Sequence, residues 1–262
     1  MFIFFKEKIF LMAFALVLAT QTHATTILYN QDFENPAAFN NDGGDVNIFN
    51  TVNDLYGNQP PGFTFAQAFT VETLLVTGNQ AFGTGYSDPE GIGGNYTLGM
   101  LSNFENDLLG LSFNVNNNKF LNVRLDISSI DLSVFSGPFV SPGAVPVFEF
   151  TLFDNPSGAT GLGSGAILDS AQASGTASDQ TVFDWTEALL PLDASSSTNG
   201  NVTLRIDLLE GGYAALDNFR IAASDTPGDV GDPDGPISVP EPSTMALLLL
   251  GSIGLARMRR KA

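Results

Sequence analysis

The feature of this sequence that most restricts its fold is a strict alternation of apolar and polar residues in several short segments. In FLNVRLDI, residues 120–127, every second position is apolar. NVTLRIDL, residues 201–208, repeats the pattern. Successive side chains point to opposite faces of a strand, so a period of two over this length predicts half-buried antiparallel strands. The inward-facing residues are then Leu121, Val123, Leu125, Ile127, Val202, Leu204, Ile206 and Leu208.

Other segments read as short strands, and clusters of Gly, Asn, Asp and Pro separate them. No long amphipathic helix competes with them, so the pattern predicts an all-β chain. Many short strands joined by polar turns are typical of an antiparallel β-sandwich, here of jelly-roll type, which we assign to residues 25–224. The further strand candidates are residues 26–33, 63–70, 73–77, 96–101, 145–153, 181–185 and 213–221.

The N-terminal segment, residues 1–24, has the composition of a secretory signal peptide. Lys6 and Lys8 precede an apolar stretch over residues 9–19, and Thr22-His23-Ala24 places small residues at the positions before a cleavage site. This order predicts cleavage after Ala24 and export across the inner membrane. A retained anchor is the alternative, but the apolar run is too short for a hydrocarbon core of about 30 Å.

Composition excludes several classes of chemistry from the mature chain. The sequence has no Cys and one His, and this His leaves with the signal peptide. Nucleophiles that need His or Cys, zinc sites of the usual ligands and iron–sulfur clusters therefore lack their essential atoms. Residues 25–240 keep four basic side chains against 26 acidic ones, a net charge near −22 that repels phosphate backbones. Nucleic acid is excluded as a partner.

The segment at residues 225–238 is rich in Asp, Pro and Gly and has no apolar periodicity. This composition predicts an extended acidic linker. The spacing of its Asp residues also resembles a calcium loop, but no Glu follows at the position that an EF-hand needs. We therefore favour the linker.

The C-terminal segment, residues 239–262, joins a polar motif, a short apolar run and a basic end. The apolar run, residues 244–256, predicts a short helix that is marginal for spanning a bilayer, and the basic cluster would stay on the cytoplasmic side. The polar motif consists of Val239, Pro240, Glu241 and Pro242, and the basic cluster of Arg257, Arg259, Arg260 and Lys261.

This tail resembles the PEP-CTERM sorting signal of Gram-negative bacteria. The resemblance implies handling by an exosortase, a membrane transpeptidase-like protease. It implies an intermediate held transiently in the inner membrane, followed by delivery to the cell surface or extracellular matrix. An ordinary C-terminal anchor is the alternative.

Two further stretches resemble the first and last strands of jelly-roll carbohydrate-binding modules, namely ILYNQDFENP at 27–36 and GGYAALDNFRIA at 211–222. In those modules a Phe-Glu and an Asp-Asn on adjacent strands hold a structural calcium ion. The resemblance implies Glu34 and Asp217 as ligands, with Asp32 as a possible third. Oxygen ligands suit Ca²⁺, and an acidic chain gains from neutralisation. Asp217 is alternatively only a polar residue on an outer face.

We expect an exported protein that binds polysaccharide through the sandwich without catalysis. Aromatic residues that could form a sugar platform are Tyr56, Tyr86, Tyr96 and Trp185, each of which is more simply a core residue.

Two alternatives remain open. One is a purely structural, self-associating matrix protein. The other is a glycoside hydrolase or lyase, because paired carboxylates need no histidine. Asp184 with Glu187 and Glu149 with Asp154 are such pairs, although many acids make close pairs common.

Overall fold

The computed structural model describes residues 24–37, 39, 56, 64–65, 71–76, 87–100, 107–130, 143–179 and 182–231. Thr25–Asp232 form one compact unit, to which all the described strands belong. Residues 1–23 of the predicted signal peptide lie outside the described residues, as do the sorting motif, the apolar run and the basic cluster. Within the described ranges there is no helix with the length and hydrophobicity that a membrane span requires.

The described residues form eleven strands. They are β1 (Thr26–Gln31), β2 (Thr64–Phe65), β3 (Val71–Leu75), β4 (Tyr96–Met100), β5 (Leu108–Asn114), β6 (Phe120–Ser129), β7 (Val147–Asp154), β8 (Ile167–Ser174), β9 (Thr186–Asp193), β10 (Asn201–Glu210) and β11 (Ala214–Ser224).

The strands build two sheets, and every pairing between named strands is antiparallel. Sheet A has the order β3-β4-β11-β6-β9, with β1 also paired to β11. Sheet B has the order β2-β5-β10-β7-β8. The predicted all-β antiparallel sandwich of jelly-roll type is confirmed.

The core lies between the two sheets, where the alternating segments meet. The apolar residues of β6 and β10 that the period of two assigned to the inner face are all fully buried. The largest side chains buried with them include Phe33, Phe148, Phe150 and Phe219. Burying one such side chain stabilises the fold by about 1.5–3 kcal/mol. The alternation therefore accounts for β6 and β10 and for the side chains that they contribute to the core.

Two strands share one edge of β11. β4 pairs with Ala214–Leu216, and β1 pairs with Phe219–Ala223, while β6 follows the opposite edge. The register between β11 and β6 shifts between Asp217 and Arg220, and Asn218 takes a positive φ of 49°. The gap between β1 and β4 therefore lies beside an irregularity in the strand β11. The first candidate site is found at this gap.

Residues 225–231, which the sequence predicted as the start of a linker, fold back onto the outer face of sheet A. We call this segment the clasp. The buried amide of Asn122 in β6 donates to the carbonyl oxygens of Thr226 (3.1 Å) and Asp229 (2.9 Å). Its oxygen accepts from the Gly228 amide at 2.7 Å. One side chain thus fixes both arms of the turn.

The guanidinium of Arg220 in β11 holds the end of the clasp. Its Nε donates to the carbonyl oxygen of Val230 at 2.9 Å, and Nη2 donates to that of Gly231. Nη1 donates to Asn30 Oδ1 in β1 at 3.2 Å. Val230 is buried. The compact unit thus continues past the predicted boundary at residue 224, because buried polar groups of the sheet need the clasp as a hydrogen-bond partner. The rest of the predicted linker, 232–238, lies outside the described residues.

Removing the clasp should destabilise the sandwich. We expect residues 25–224 to be less stable than residues 25–231 by about 2–4 kcal/mol, because several hydrogen bonds and the burial of Val230 are lost. Urea unfolding followed by tryptophan fluorescence measures the difference. Equal midpoints for the two chains would show that the clasp contributes nothing to stability.

Candidate functional site

Glu34 lies just after β1 and reaches across to the start of β4. Its Oε1 accepts hydrogen bonds from the backbone amides of Asn95 (2.6 Å) and Tyr96 (3.0 Å), and its Oε2 accepts from Asn95 Nδ2 at 2.7 Å. Gly94 has a φ of 55°, and a Cβ there would collide with the Glu34 carboxylate. The carboxylate of Glu34 therefore joins the two strands that share the edge of β11.

Asp217 lies in β11 beside this junction and is only 1% exposed. Its Oδ1 accepts from the Asn218 amide at 2.6 Å, but its Oδ2 is buried and has no hydrogen-bond partner among the described residues. The nearby Thr97 hydroxyl donates to the Leu216 carbonyl oxygen instead, at 2.8 Å. Burial raises the pKa of Asp217 to about 9, and the negative charge of Glu34 contributes to the increase. A proton or a cation would satisfy this oxygen.

Two more carboxylates lie in the same row of sheet A. Asp126 in β6 is opposite Asp217 on one side and opposite Glu187 in β9 on the other. Asn218 Nδ2 donates to Asp126 Oδ2 (2.9 Å) and to the Ile92 carbonyl oxygen (3.1 Å). Burial raises the pKa of Asp126, and the charge of Glu187 raises it further. Carboxyl groups from four parts of the chain, those of Glu34, Asp217, Asp126 and Glu187, thus follow one another across sheet A.

The structure brings Glu34 and Asp217 close enough to influence each other electrostatically. Asp32 makes its hydrogen bond within the turn after β1. Asp32 is exposed, and its Oδ1 accepts from the Glu34 amide at 3.2 Å, which shapes the turn after β1. Among the described residues no group of three or more acidic or histidine side chains is arranged to hold a metal ion. The orphaned Asp217 Oδ2 nevertheless fits Ca²⁺, which takes about six to eight oxygen ligands, including carbonyls and water. Calcium stays a prediction.

A second candidate site lies on the outer face of sheet B, under the connection between β7 and β8. We call residues 155–166 the β7–β8 loop. A Cβ at Gly110 in β5 would collide with the Gly161 carbonyl oxygen, so this loop lies directly on the sheet. Asn155 Nδ2 donates to the carbonyl oxygen of Ala159 (2.7 Å) and to Thr203 Oγ1 in β10 (3.0 Å). These hydrogen bonds hold the first half of the loop together and attach it to β10.

Two cavities flank this loop and share Asn155. One has a volume of about 330 Å³, and its walls include Leu28, Ser112, Phe113, Asn114 and Asn201. The other, of about 480 Å³, is formed mainly by residues 156–165. The walls consist of amides, hydroxyls, backbone groups and a few apolar side chains.

Asp154 is the one charged residue among those that line these two cavities. Its carboxylate accepts from Ser197 Oγ (3.1 Å), the Thr198 amide (3.0 Å) and the Thr198 hydroxyl. The hydrogen bonds from Thr198, with a smaller contribution from Ser197, lower the pKa of Asp154. These hydrogen bonds fix the turn at residues 197–198, and the other residues that line the two cavities are uncharged.

The aromatic residues considered as a sugar platform are mostly structural. Trp185 is 7% exposed and its ring stacks on Phe183, with centroids 5.4 Å apart. Tyr56 is 4% exposed, and its hydroxyl donates to the Phe33 carbonyl oxygen at 2.6 Å. Tyr96 is half-buried, and Tyr86 lies outside the described residues.

The acid pairs considered for catalysis are dispersed. The structure puts Glu149 opposite Asp207 in the neighbouring β10, a partner that the sequence did not indicate. Burial raises the pKa of Asp207, and the charge of Arg205 opposes this increase. The guanidinium of Arg205 lies over the Phe153 ring, 4.9 Å from its centroid. Asp184 and Glu187 flank the buried Trp185, and Glu187 is exposed.

The fold and these sites define the molecule as a β-sandwich protein of jelly-roll type with a cluster of carboxylates and uncharged polar cavities. Residues 238–261 match the family described as PEP-CTERM protein-sorting motif, which confirms the interpretation of the tail. The chain is therefore an exported protein that carries a PEP-CTERM sorting motif. No curated protein sequence matches the chain.

Several solved structures are similar to this chain at low sequence identity. The CBM22-1 xylan-binding domain from Paenibacillus barcinonensis Xyn10C is 15% identical, with a TM-score of 0.37, and the match covers 78% of this chain and 97% of that one. TmCBM61 in complex with β-1,4-galactotriose is 8% identical, with a TM-score of 0.35 and coverages of 64% and 92%. The K3 adhesin domain of Lys-gingipain from Porphyromonas gingivalis is 12% identical, with a TM-score of 0.39 and coverages of 76% and 99%. These likenesses concern the fold alone.

The buried Asp217 should make stability depend on pH when calcium is absent. Its pKa is raised in the folded state, so it binds a proton that the unfolded chain releases, and stability should fall as pH rises from about 4 to about 9. At pH 8 in chelator, Asp217→Asn should be more stable than the natural chain by about 3 kcal/mol. The difference should shrink at pH 4.

Urea unfolding across this pH range measures the effect. Asp32→Asn, which changes an exposed carboxylate in the adjacent turn, is the control and should follow the natural chain. A natural profile that is flat between pH 4 and 9 would contradict the buried, protonated Asp217.

Proposed function

We propose that this exported protein binds uncharged polysaccharide through the cavities beside the β7–β8 loop, without catalysing a reaction. The observation that carries the proposal is the composition of the cavity walls around Asn155. Amide and hydroxyl groups both donate and accept hydrogen bonds, as sugar hydroxyls do. A few apolar side chains beside convergent polar groups are typical of small-molecule sites.

The net charge of the chain favours binding of an uncharged ligand over an acidic one. Residues 25–240 have a net charge near −22, and a field of this sign disfavours the approach of polymers that carry carboxylates or sulfates. The one acidic side chain that lines the cavities, Asp154, is already saturated by Ser197 and Thr198. Neither cavity offers a lysine or arginine to pair with an acidic sugar. A neutral glycan meets no electrostatic penalty at these walls.

Binding should be measured with residues 25–231 and a panel of neutral and acidic polysaccharides, with calcium and with chelator. We expect saturable binding to neutral members that salt barely affects. Asn201→Ala should weaken binding by about three- to tenfold, because it removes a hydrogen-bonding amide from the walls. Asn155→Ala should weaken binding as well, because it removes the hydrogen bonds that hold the β7–β8 loop on β10. Asn117→Ala, in an exposed turn outside the cavities, is the matched control.

The outcomes separate the competing functions. Calcium-dependent oligomerisation without any glycan affinity would favour a structural, self-associating matrix protein. Release of sugar products that stops when one carboxylate is replaced in a folded protein would instead indicate a glycoside hydrolase or lyase. Tight binding of acidic polymers only would contradict the charge argument.

The tail supports delivery to the cell surface or extracellular matrix. In this proposal an exosortase acts on the chain while residues 244–256 hold it in the inner membrane, with the basic cluster on the cytoplasmic side. The protein would then be found outside the cell without this apolar segment.

The intact mass of the exported protein tests the processing step. We expect the mass to lack the residues after about Pro242, because the sorting motif precedes the apolar run. A surface protein that keeps Arg257, Arg259, Arg260 and Lys261 would instead have a plain membrane anchor.

We also propose that a structural calcium ion binds at Glu34 and Asp217. An ion there would take up the unpartnered Asp217 Oδ2 and offset the repulsion from Glu34 and Asp126. It would hold β1, β4 and β11 together. The Asp217→Asn variant provides the test: calcium should raise the unfolding midpoint of the natural chain and have no such effect on the variant.

A further inference from the structure

The first residue of the compact unit contacts the clasp. The unit begins at Thr25, directly after the predicted signal cleavage site, and the preceding Ala24 is exposed. The hydroxyl of the half-buried Thr25 donates to Asp229 Oδ2. The structure therefore places the residue that would become the mature N-terminus against the segment that leads to the sorting motif.

Asp229 is held as an anion in this contact. Its Oδ2 also accepts from Ser224 Oγ at 3.0 Å, and its Oδ1 accepts from the Gly231 amide at 3.0 Å. Burial opposes ionisation of Asp229, but the hydrogen bonds from Thr25, Gly231 and Ser224 outweigh it and lower the pKa. The carboxylate is therefore charged at neutral pH.

The other charged groups on the elements that contact Thr25 are engaged elsewhere. Arg220 of β11 donates to the carbonyl oxygens of Val230 and Gly231 and to Asn30 Oδ1. Asp225 of the clasp accepts from the Lys119 amide at 3.2 Å. Among the hydrogen bonds of the described region, those to Asp229 come from neutral donors. None of these three donors carries a positive charge, so no cation balances the negative charge of Asp229 in these hydrogen bonds.

Cleavage after Ala24 changes the charge at this contact. When a signal peptidase hydrolyses the peptide bond with water, the new carboxylate leaves on Ala24 and the new amine stays on Thr25, where a proton makes it an ammonium group. Three covalent bonds separate this nitrogen from Oγ1, so the ammonium lies within about 4 Å of the hydroxyl that already contacts Asp229.

We propose that removal of the signal peptide creates a structural cation, the α-ammonium of Thr25, which pairs with Asp229 and closes the clasp. Processing at one end of the chain would then strengthen the attachment of the segment that leads to the other end. The inference rests on the contact between Thr25 and Asp229 and is independent of glycan or calcium binding.

The ion pair between the Thr25 ammonium and Asp229 should stabilise the clasp only while the ammonium keeps its proton. An α-amino group has an ordinary pKa of about 7.7–8.0, and the adjacent Asp229 raises the folded value. The stabilisation should be complete below pH 7.7 and should be lost as pH rises through the folded pKa. A neutral blocking group on the amine would remove it at every pH.

The experiment compares the exported protein with a form in which Gly-Ser is inserted between Ala24 and Thr25. The insertion keeps the Thr25 hydroxyl and moves the ammonium away from Asp229. Each form is made with Asp229 and with Asp229→Asn, and urea unfolding is measured at pH 7 and pH 10. At pH 7 the natural N-terminus should lower the unfolding equilibrium constant by about two- to fivefold, as partly exposed ion pairs do. Limited proteolysis within residues 225–231 should slow in parallel.

The difference between the two N-termini should vanish at pH 10 and in Asp229→Asn. Thr25→Val, which keeps the ammonium and loses the hydroxyl, should retain most of the difference. Equal stability of the two forms at pH 7, or an equal difference with Asn at position 229, would overturn the proposal. An exported protein whose first residue is other than Thr25 would also overturn it.

Discussion

The rest of the structure depends on the pairing of β11, the last strand. β6 follows one of its edges, whereas β1 and β4 divide the other between them. A strand shared in this way joins the two ends of the compact unit within one sheet. It also leaves a gap where β1 ends and β4 begins. The irregularity of β11 at Asp217 and Asn218 lies beside that gap. Glu34 bridges the gap with its hydrogen bonds to Asn95 and Tyr96.

The two candidate sites differ in their electrostatics because the chain concentrates its charge unevenly. Glu34 and Asp217 lie at the junction of β1, β4 and β11, and Asp126 and Glu187 continue the row on β6 and β9. Burial of Asp217 and Asp126 favours a proton or a cation there. The cavities beside the β7–β8 loop are lined by neutral polar groups and by Asp154, which is hydrogen-bonded. One site is thus acidic and contains the buried Asp217, whereas the other is lined almost entirely by uncharged residues.

The clasp extends the folded part of this exported protein beyond β11. Asn122 and Arg220, both on the outer face of sheet A, hold residues 225–231 against the sheet. Hydrogen bonds to buried polar side chains are costly to break, so this segment behaves as part of the domain. The same segment also contacts Thr25, the first residue of the compact unit, through Asp229.

The sequence by itself determined the features that are local. The alternation in β6 and β10 sets which side chains face the core, because successive residues of a strand point to opposite sides. The tail motif is likewise contiguous, and its match at residues 238–261 needed no structure. The resemblance to jelly-roll modules also predicted that Glu34 and Asp217 belong together, and the structure brings them near each other although they are far apart in the chain.

Only the tertiary structure decided features that depend on contacts between distant residues. The content of Asp, Pro and Gly predicted an extended linker from residue 225. Composition does not reveal that Asn122 and Arg220 donate hydrogen bonds to carbonyl oxygens of this segment. Asp126 joins the carboxylate row through strand register, and Asp32 Oδ1 accepts a local hydrogen bond from the Glu34 amide. The cavities arise from a loop lying on Gly110 of another strand. These features depend on burial and on pairing between segments that are distant in the sequence, so local sequence patterns do not predict them.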